Sequence, residues 1–185
     1  MIHSVITQLN KDLATLNLFT LYGLTKEEHR GDLVYPSIYA AKGNSDAINF
    51  DFKKATAYHR LTGSVSVTQE EDDTQCGVLH TEVFPMKLVC YFSNAVYGDD
   101  AYSALKTVAN IKKELAKLTV ETIEDSFGLF EVSADVTSFL VDSFAVWNDE
   151  FTGVPFQVPS THSLISINYN ITLIGSLNCF VPYEC

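Results

Sequence analysis

The sequence predicts an α+β protein, a mostly antiparallel β-sheet with two or three helices packed on it, and three observations carry that expectation. Ile2, Ile6, Leu9, Leu13 and Leu16 recur at spacings of 4, 3, 4 and 3, which places them on one face of a helix. Ala101, Leu105, Val108, Ile111, Leu115 and Leu118 form a second helical stripe, with Lys106, Lys112, Lys113 and Lys117 on the opposite face. Phe151 to Tyr183 is a run of 33 residues without Asp, Glu, Lys or Arg. At the chain's charged fraction of 19% about six would be expected there. At its centre Ile165, Ile167, Tyr169, Ile171 and Leu173 alternate with Ser166, Asn168, Asn170 and Thr172, the period of a half-buried strand.

Taken in order, the opening helix stops before Gly23, and polar Thr25–Asp32 reads as loop. Leu33–Ala41 reads as a strand in which Pro36 marks an edge or a bulge. Residues 42–46 form a turn cluster, and the alternation of Ile48, Phe50 and Phe52 suggests a short strand. Leu61–Gln69 is a further strand, running into an acidic tip, Glu70-Glu71-Asp72-Asp73. Leu79–Phe92 is a long strand with a bulge expected at Pro85. Asp99 and Asp100 stand where a cap and first turn belong, ahead of the helix Ala101–Leu118. Phe127, Leu129, Phe130 and Val132 fit a strand, whereas Val136, Phe139, Leu140, Phe144 and Trp147 have helical spacing, with Ser133 or Asp135 as cap. Gly153, Pro155 and Pro159 then punctuate a loop before the last strand. The whole chain, 1–185, is read as one domain with an elaboration around 119–156.

The composition excludes several functions. A formal net charge of −11 speaks against general nucleic-acid binding, which needs clustered Lys and Arg. Met1-Ile2-His3-Ser4 lacks a basic n-region, so no secretory leader is expected, and no window resembles a membrane span. Cys76, Cys90, Cys179 and Cys185 match no zinc or redox spacing and are expected to be reduced. Arg30-Gly31-Asp32 reads as a turn in preference to an adhesion tripeptide.

Catalytic signals are weak throughout. His3, His29, His59, His80 and His162 form no paired metal motif, and neither phosphate-binding nor dinucleotide-binding glycine loops are present. Glu27-Glu28-His29, and the pairs around Glu121, Glu124, Asp125 and Asp149, Glu150, read as surface charge. His80 and Glu82 share one face of a strand that also carries Cys90, which leaves a small cysteine-dependent hydrolase as one alternative. A β-rich binding or adhesion module is another. Neither a catalytic residue, a cofactor nor a metal is expected.

What the sequence favours is assembly. The loop from Phe151 to Ser160 holds Phe151, Val154, Phe156 and Val158 without one charge, and a lone chain rarely leaves such a loop in water. Phe151, Val154, Phe156, Val158, Leu164, Phe180 and Val181 are accordingly the expected subunit interface. The order of elements resembles the tail-terminator and neck-ring proteins of tailed bacteriophages. The likeness lies in the opening helix Ile2–Leu18 followed by the strand Leu33–Ala41, in Leu79–Phe92 leading through Asp99-Asp100 into the helix Ala101–Leu118, and in the late strand Ser163–Thr172 after an apolar loop. A neck ring of the crAss-like phages is one form a member of this length takes. The resemblance implies a homomeric ring, sixfold or twelvefold, with heterologous contacts between subunits. Such a ring sits in the virion neck or tail, made in the host cytoplasm, and joins portal or capsid to tail-tube proteins. DNA passes through it without specific binding, and no membrane is involved.

Overall fold

The computed structural model describes residues 2–41, 44–48, 54–72, 77–98, 100–118, 121–125 and 128–176. Helix α1 (Ile2–Ala14) is followed by strands β1 (Thr20–Arg30), β2 (Leu33–Ala41), β3 (Asn44–Ala47), β4 (Thr56–Leu61), β5 (Ser66–Asp72) and β6 (Gly77–Ser93). A short 3₁₀ turn, Asn94–Tyr97, leads to helix α2 (Ser103–Leu115), which continues as 3₁₀ through Leu118. Strands β7 (Glu121–Asp125) and β8 (Gly128–Leu140), helix α3 (Ser143–Glu150) and strand β9 (His162–Ser176) complete the chain. The strands form one mixed, mostly antiparallel sheet with an eight-strand path, β3-β2-β1-β4-β6-β9-β8-β7, and β5 lies alongside β6 as a ninth. β1 and β4 are parallel; every other pairing among the described residues is antiparallel.

The spine is the β6–β9 ladder, paired in unbroken register from Leu79↔Ser176 to Ser93↔His162. Alternation sends Met86, Leu88, Cys90 and Phe92 of β6, and Ile165, Ile167, Tyr169, Ile171 and Leu173 of β9, to one face. There α1 supplies Val5, Ile6, Leu9 and Leu13, and α2 supplies Val108, Ile111 and Leu115. Val89, Tyr91 and Leu164 point to the other face, where α3 and the loop after it bring Val146, Trp147, Phe151 and Val158. The sheet thus lies between α1 and α2 on one side and α3 on the other.

This arrangement gives the uncharged stretch a cause inside the subunit. β9 lies between β6 and β8, and its apolar face is wholly buried beneath α1 and α2. Its second face begins with buried Leu164 and Ser166 under α3 and continues with half-buried Asn168, Asn170 and Thr172. A charged side chain on such a strand would lose water on both faces. No sister copy is required to explain the absence of charge there.

Several local expectations are corrected. Thr25–Arg30 is not loop: it continues β1, pairing with β2 through a two-residue turn in which Gly31 holds φ +64. Arg30-Gly31-Asp32 is that turn. Asn44–Asp46 lies in β3, and β4 has no alternation to mark it in the sequence because its first four residues are all buried. Phe50 and Phe52 lie outside the described residues. Glu70–Asp72 pairs with Leu79–Gly77 as the end of β5. Pro85 causes no bulge towards β9. Its carbonyl accepts from Thr62 N–H in the gap where β4 pairing ends and β5 pairing begins, so the missing proline N–H faces a place with no partner strand. The largest correction concerns Val136–Leu140, which continues β8 and does not open a helix. The helix starts at Ser143, capped by the Asp142 carboxylate accepting from Phe144 and Ala145 N–H.

The core position of β9 sets a stability test. Ile167→Asp places a carboxylate at the centre of the buried face, a cost of several kcal/mol, and abolishes the cooperative thermal transition in circular dichroism. Ile167→Val, costing about 1 kcal/mol, leaves that transition in place at a slightly lower temperature.

Candidate assembly interface

Three polar clusters in the subunit are dense enough to be examined as chemistry. The first joins α1 to the sheet. His59 of β4 is fully buried; its Nδ1 lies 2.6 Å from Tyr169 Oη and its Nε2 3.0 Å from Asn10 Oδ1. Asn10 Nδ2 donates to the Tyr22 carbonyl, which fixes the amide so that Oδ1 must accept. Nε2 therefore carries the proton, and the Tyr169 hydroxyl donates to Nδ1. Burial lowers the His59 pKa to about 3 and raises that of Tyr169. A neutral ring with both nitrogens engaged is a strut, not a proton shuttle.

The second cluster fastens α3. The Glu150 carboxylate is buried and accepts from Tyr58 Oη at 2.9 Å, Arg60 Nη1 at 3.3 Å and Lys87 Nζ at 3.2 Å. Lys87 also pairs with Asp149, and Arg60 with Glu27 at 3.2 Å. Burial, followed by the charge of Glu150, pushes the Tyr58 phenol well above its usual range. Both Glu150 oxygens have partners on the sheet, Tyr58 and Arg60 on Oε2 and Lys87 on Oε1, so the carboxylate links the helix to the strands beneath it.

The third is the pairing that a cysteine hydrolase would need. His80 Nε2 meets Glu82 Oε1 at 2.9 Å, but Cys90 is ten residues further along the same strand. At about 3.4 Å per residue, roughly 34 Å separates them. Cys90 is buried, and burial raises its thiol pKa. The proposed nucleophile and base cannot meet. Among the described residues no three His, Cys, Asp or Glu side chains gather as a metal site. No helix there is long and apolar enough to cross a membrane.

The residues expected at a subunit interface divide sharply. Phe151, Val158 and Leu164 are buried in the subunit's own second core, and Val154 packs half-buried against it. Those three have no surface left for a neighbour. Phe180 and Val181 lie outside the described residues. Phe156 is different: it is 42% exposed, with its ring 5.4 Å from that of Phe144 and 6.0 Å from that of Trp147. Phe144 is 57% exposed, and Leu140 and Val141 beside it are exposed too. The aromatic group Phe144, Trp147, Phe151 and Phe156 is thus half core and half surface. The Asp142 cap phases α3 so that Val146, Trp147 and Glu150 face the sheet, which turns Phe144 outward. Without that boundary the sequence could not separate the two halves.

This exposed corner adjoins an open sheet edge. β7 pairs only with β8 residues 128–132, so the described residues place no strand beside Ser133–Leu140 on that side. The edge bears a single charged residue, Asp135, and a bulge at Thr137, whose Oγ1 donates to the Asn168 carbonyl. The bulge blunts continuous strand addition, leaving the apolar side chains as the more usable surface. The outer strands elsewhere are four-residue β3 and acidic β5.

No protein-family model matches this chain, and a search of curated proteins finds no match.

Two measurements check the buried clusters. Glu150→Ala removes the carboxylate shared by Tyr58, Arg60 and Lys87, leaves Arg60 with Glu27 and Lys87 with Asp149, and lowers unfolding free energy by about 1–3 kcal/mol in urea titration. For His59, the folded pKa lies below the unfolded 6.5, so the unfolded chain takes up the proton first as pH falls. Its contribution is complete above pH 6.5 and is lost towards pH 3, at about 1.4 kcal/mol per pH unit. The wild type therefore loses more stability between pH 6.5 and 4 than His59→Gln does, measured by denaturation at each pH.

Proposed function

We propose that this protein is a structural subunit that assembles with copies of itself into a ring in the neck or tail of a tailed bacteriophage, joining portal or capsid to the tail around the DNA channel. One observation carries the assembly part of the reading: Leu140, Val141, Phe144 and Phe156 form an exposed apolar corner on an otherwise acidic chain, beside an open sheet edge. Apolar side chains clustered with aromatic rings at their centre are the composition of a protein contact. The corner lies outside the two buried clusters that could have suggested catalysis, and those clusters serve packing.

The placement in a virion is supported by the resemblance to tail-terminator and neck-ring proteins. The elements that carry it, an opening helix, a long strand running through a turn into a second helix, and a late long strand, form two helices on one face of a sheet built around the two long strands. A net charge of −11 suits a ring through which DNA slides, because acidic groups near the lumen repel phosphate. Portal, neck and tail-tube proteins are the partners this reading implies above and below the ring. It assigns no cofactor and no reaction.

Native mass spectrometry and negative-stain imaging of the full chain test it. The expected result is a closed ring of six or twelve copies; a chain that stays monomeric up to millimolar concentration overturns the reading. Phe156→Asp keeps the wild-type circular dichroism spectrum and a cooperative melt at a modestly lower temperature, because the side chain is 42% exposed and touches the core only at its edge, and it abolishes assembly.

A further inference from the structure

The exposed corner has a counterpart on the opposite face of the same subunit. The outward side of α2 carries Tyr102 at its start, 65% exposed, and Leu105, 45% exposed, with Val96 of the preceding 3₁₀ turn exposed nearby in the chain. Lys106 is exposed beside them, and Lys112, Lys113 and Lys117 are exposed further along α2 and its 3₁₀ extension. Four of the chain's 12 basic residues thus lie on one helix and its 3₁₀ extension. Lys106 pairs with Asp100 and Lys117 with Glu114, while the Lys112 ammonium lies 5.9 Å from the centre of the Phe139 ring. Around the first corner the charges have the other sign: Asp135, Asp142 and Asp149 are exposed there. α2 packs on one face of the sheet and α3 on the other, so the two surfaces look away from each other.

We infer that the α2 face of one copy, Tyr102 and Leu105 with the lysines beside and beyond them, docks on the corner formed by Leu140, Val141, Phe144 and Phe156 of the next copy. This rests on the ring reading and adds which surfaces meet. Opposite charges flank apolar centres of unlike shape, so the two surfaces complement each other and not themselves. A corner-to-corner contact brings Asp135 and Asp142 of both copies together, and an α2-to-α2 contact opposes Lys112 and Lys113 of both; both are penalised. Two unlike surfaces on opposite sides of one subunit give a heterologous, repeating contact, which closes into a ring when the rotation between copies divides the circle.

Mixing two variants tests the pairing. Leu105→Asp destroys the α2 surface and leaves the corner intact; Phe144→Asp does the reverse. Both positions are exposed, and circular dichroism with thermal melting verifies that each variant folds. Analytical ultracentrifugation is expected to show each variant alone as a monomer. Their equimolar mixture is expected to show a species of twice the monomer mass and nothing larger, because a single intact pair of surfaces remains. If wild type forms rings and Leu105→Asp still does, or if the mixture stays monomeric, the pairing is overturned and the ring reading stands. If Phe144→Asp alone assembles, the corner is not the docking surface. A wild-type chain that never assembles overturns the ring reading and this pairing with it.

Discussion

The antiparallel ladder between β6 and β9 is the constraint on which the other elements depend. Its unbroken register from Leu79↔Ser176 to Ser93↔His162 fixes which residues of both strands face each layer. A shift by one residue would turn Ile165, Ile167, Tyr169, Ile171 and Leu173 away from α1 and α2 and put Asn168 and Asn170 into the core. Because β6 is longer than any neighbour on its other edge, β4 and β5 share that edge in turn, and Pro85 lies at the junction where a missing N–H costs nothing. The ladder also explains the neutrality of β9, since a strand flanked on both edges and covered on one face has little water to offer a charge.

The two helical layers are then fixed by different means. On one face, apolar packing from α1 and α2 is supplemented by the hydrogen-bonded chain from Asn10 through His59 to Tyr169, which links helix, β4 and β9 in one line. On the other face, the short helix α3 contributes Val146 and Trp147 to a second buried core and turns Glu150 inward. The Glu150 carboxylate ties α3 to Tyr58, Arg60 and Lys87. A buried ion group of this kind favours one geometry over near alternatives, because any other placement leaves charges unpaired. That geometry in turn fixes the outward direction of Phe144 and the position of the loop that carries Phe156.

The chain therefore engages its two buried polar clusters internally and leaves apolar side chains exposed on its surface. The groups of the His59 and Glu150 clusters are engaged with one another, while exposed apolar residues include those at the corner beside the open edge of β8, those on the outer side of α2, and Leu61, Val67 and Phe139 elsewhere on the sheet. A surface with unlike apolar patches on opposite sides of the sheet suits repetition of the subunit more than binding of a small molecule. Acidic β5, with Glu70 exposed, discourages strand addition at another edge, so the polarity of the rims agrees with the same division of labour.

The sequence by itself determined the α+β class, the stripe of α1, the Val108, Ile111, Leu115 and Leu118 part of the second stripe, and the long strands β6 and β9, because each has enough residues for its hydrophobic period to stand out; Ala101 and Leu105, placed on that stripe by spacing, are exposed. It did not reveal β4, whose buried faces on both sides erase alternation, nor the end of β8, where Val136, Phe139 and Leu140 imitate helical spacing across a bulge. It marked the loop after α3 as unusually apolar but could not divide that apolar content between core and surface. Only the tertiary structure decided that Phe151, Val158 and Leu164 are used inside the subunit while Phe144 and Phe156 remain outside. The reason is physical: burial depends on which elements lie opposite one another, and contacts such as Glu150 with Lys87 or Tyr58 join residues 63 and 92 positions apart, a separation no local pattern records.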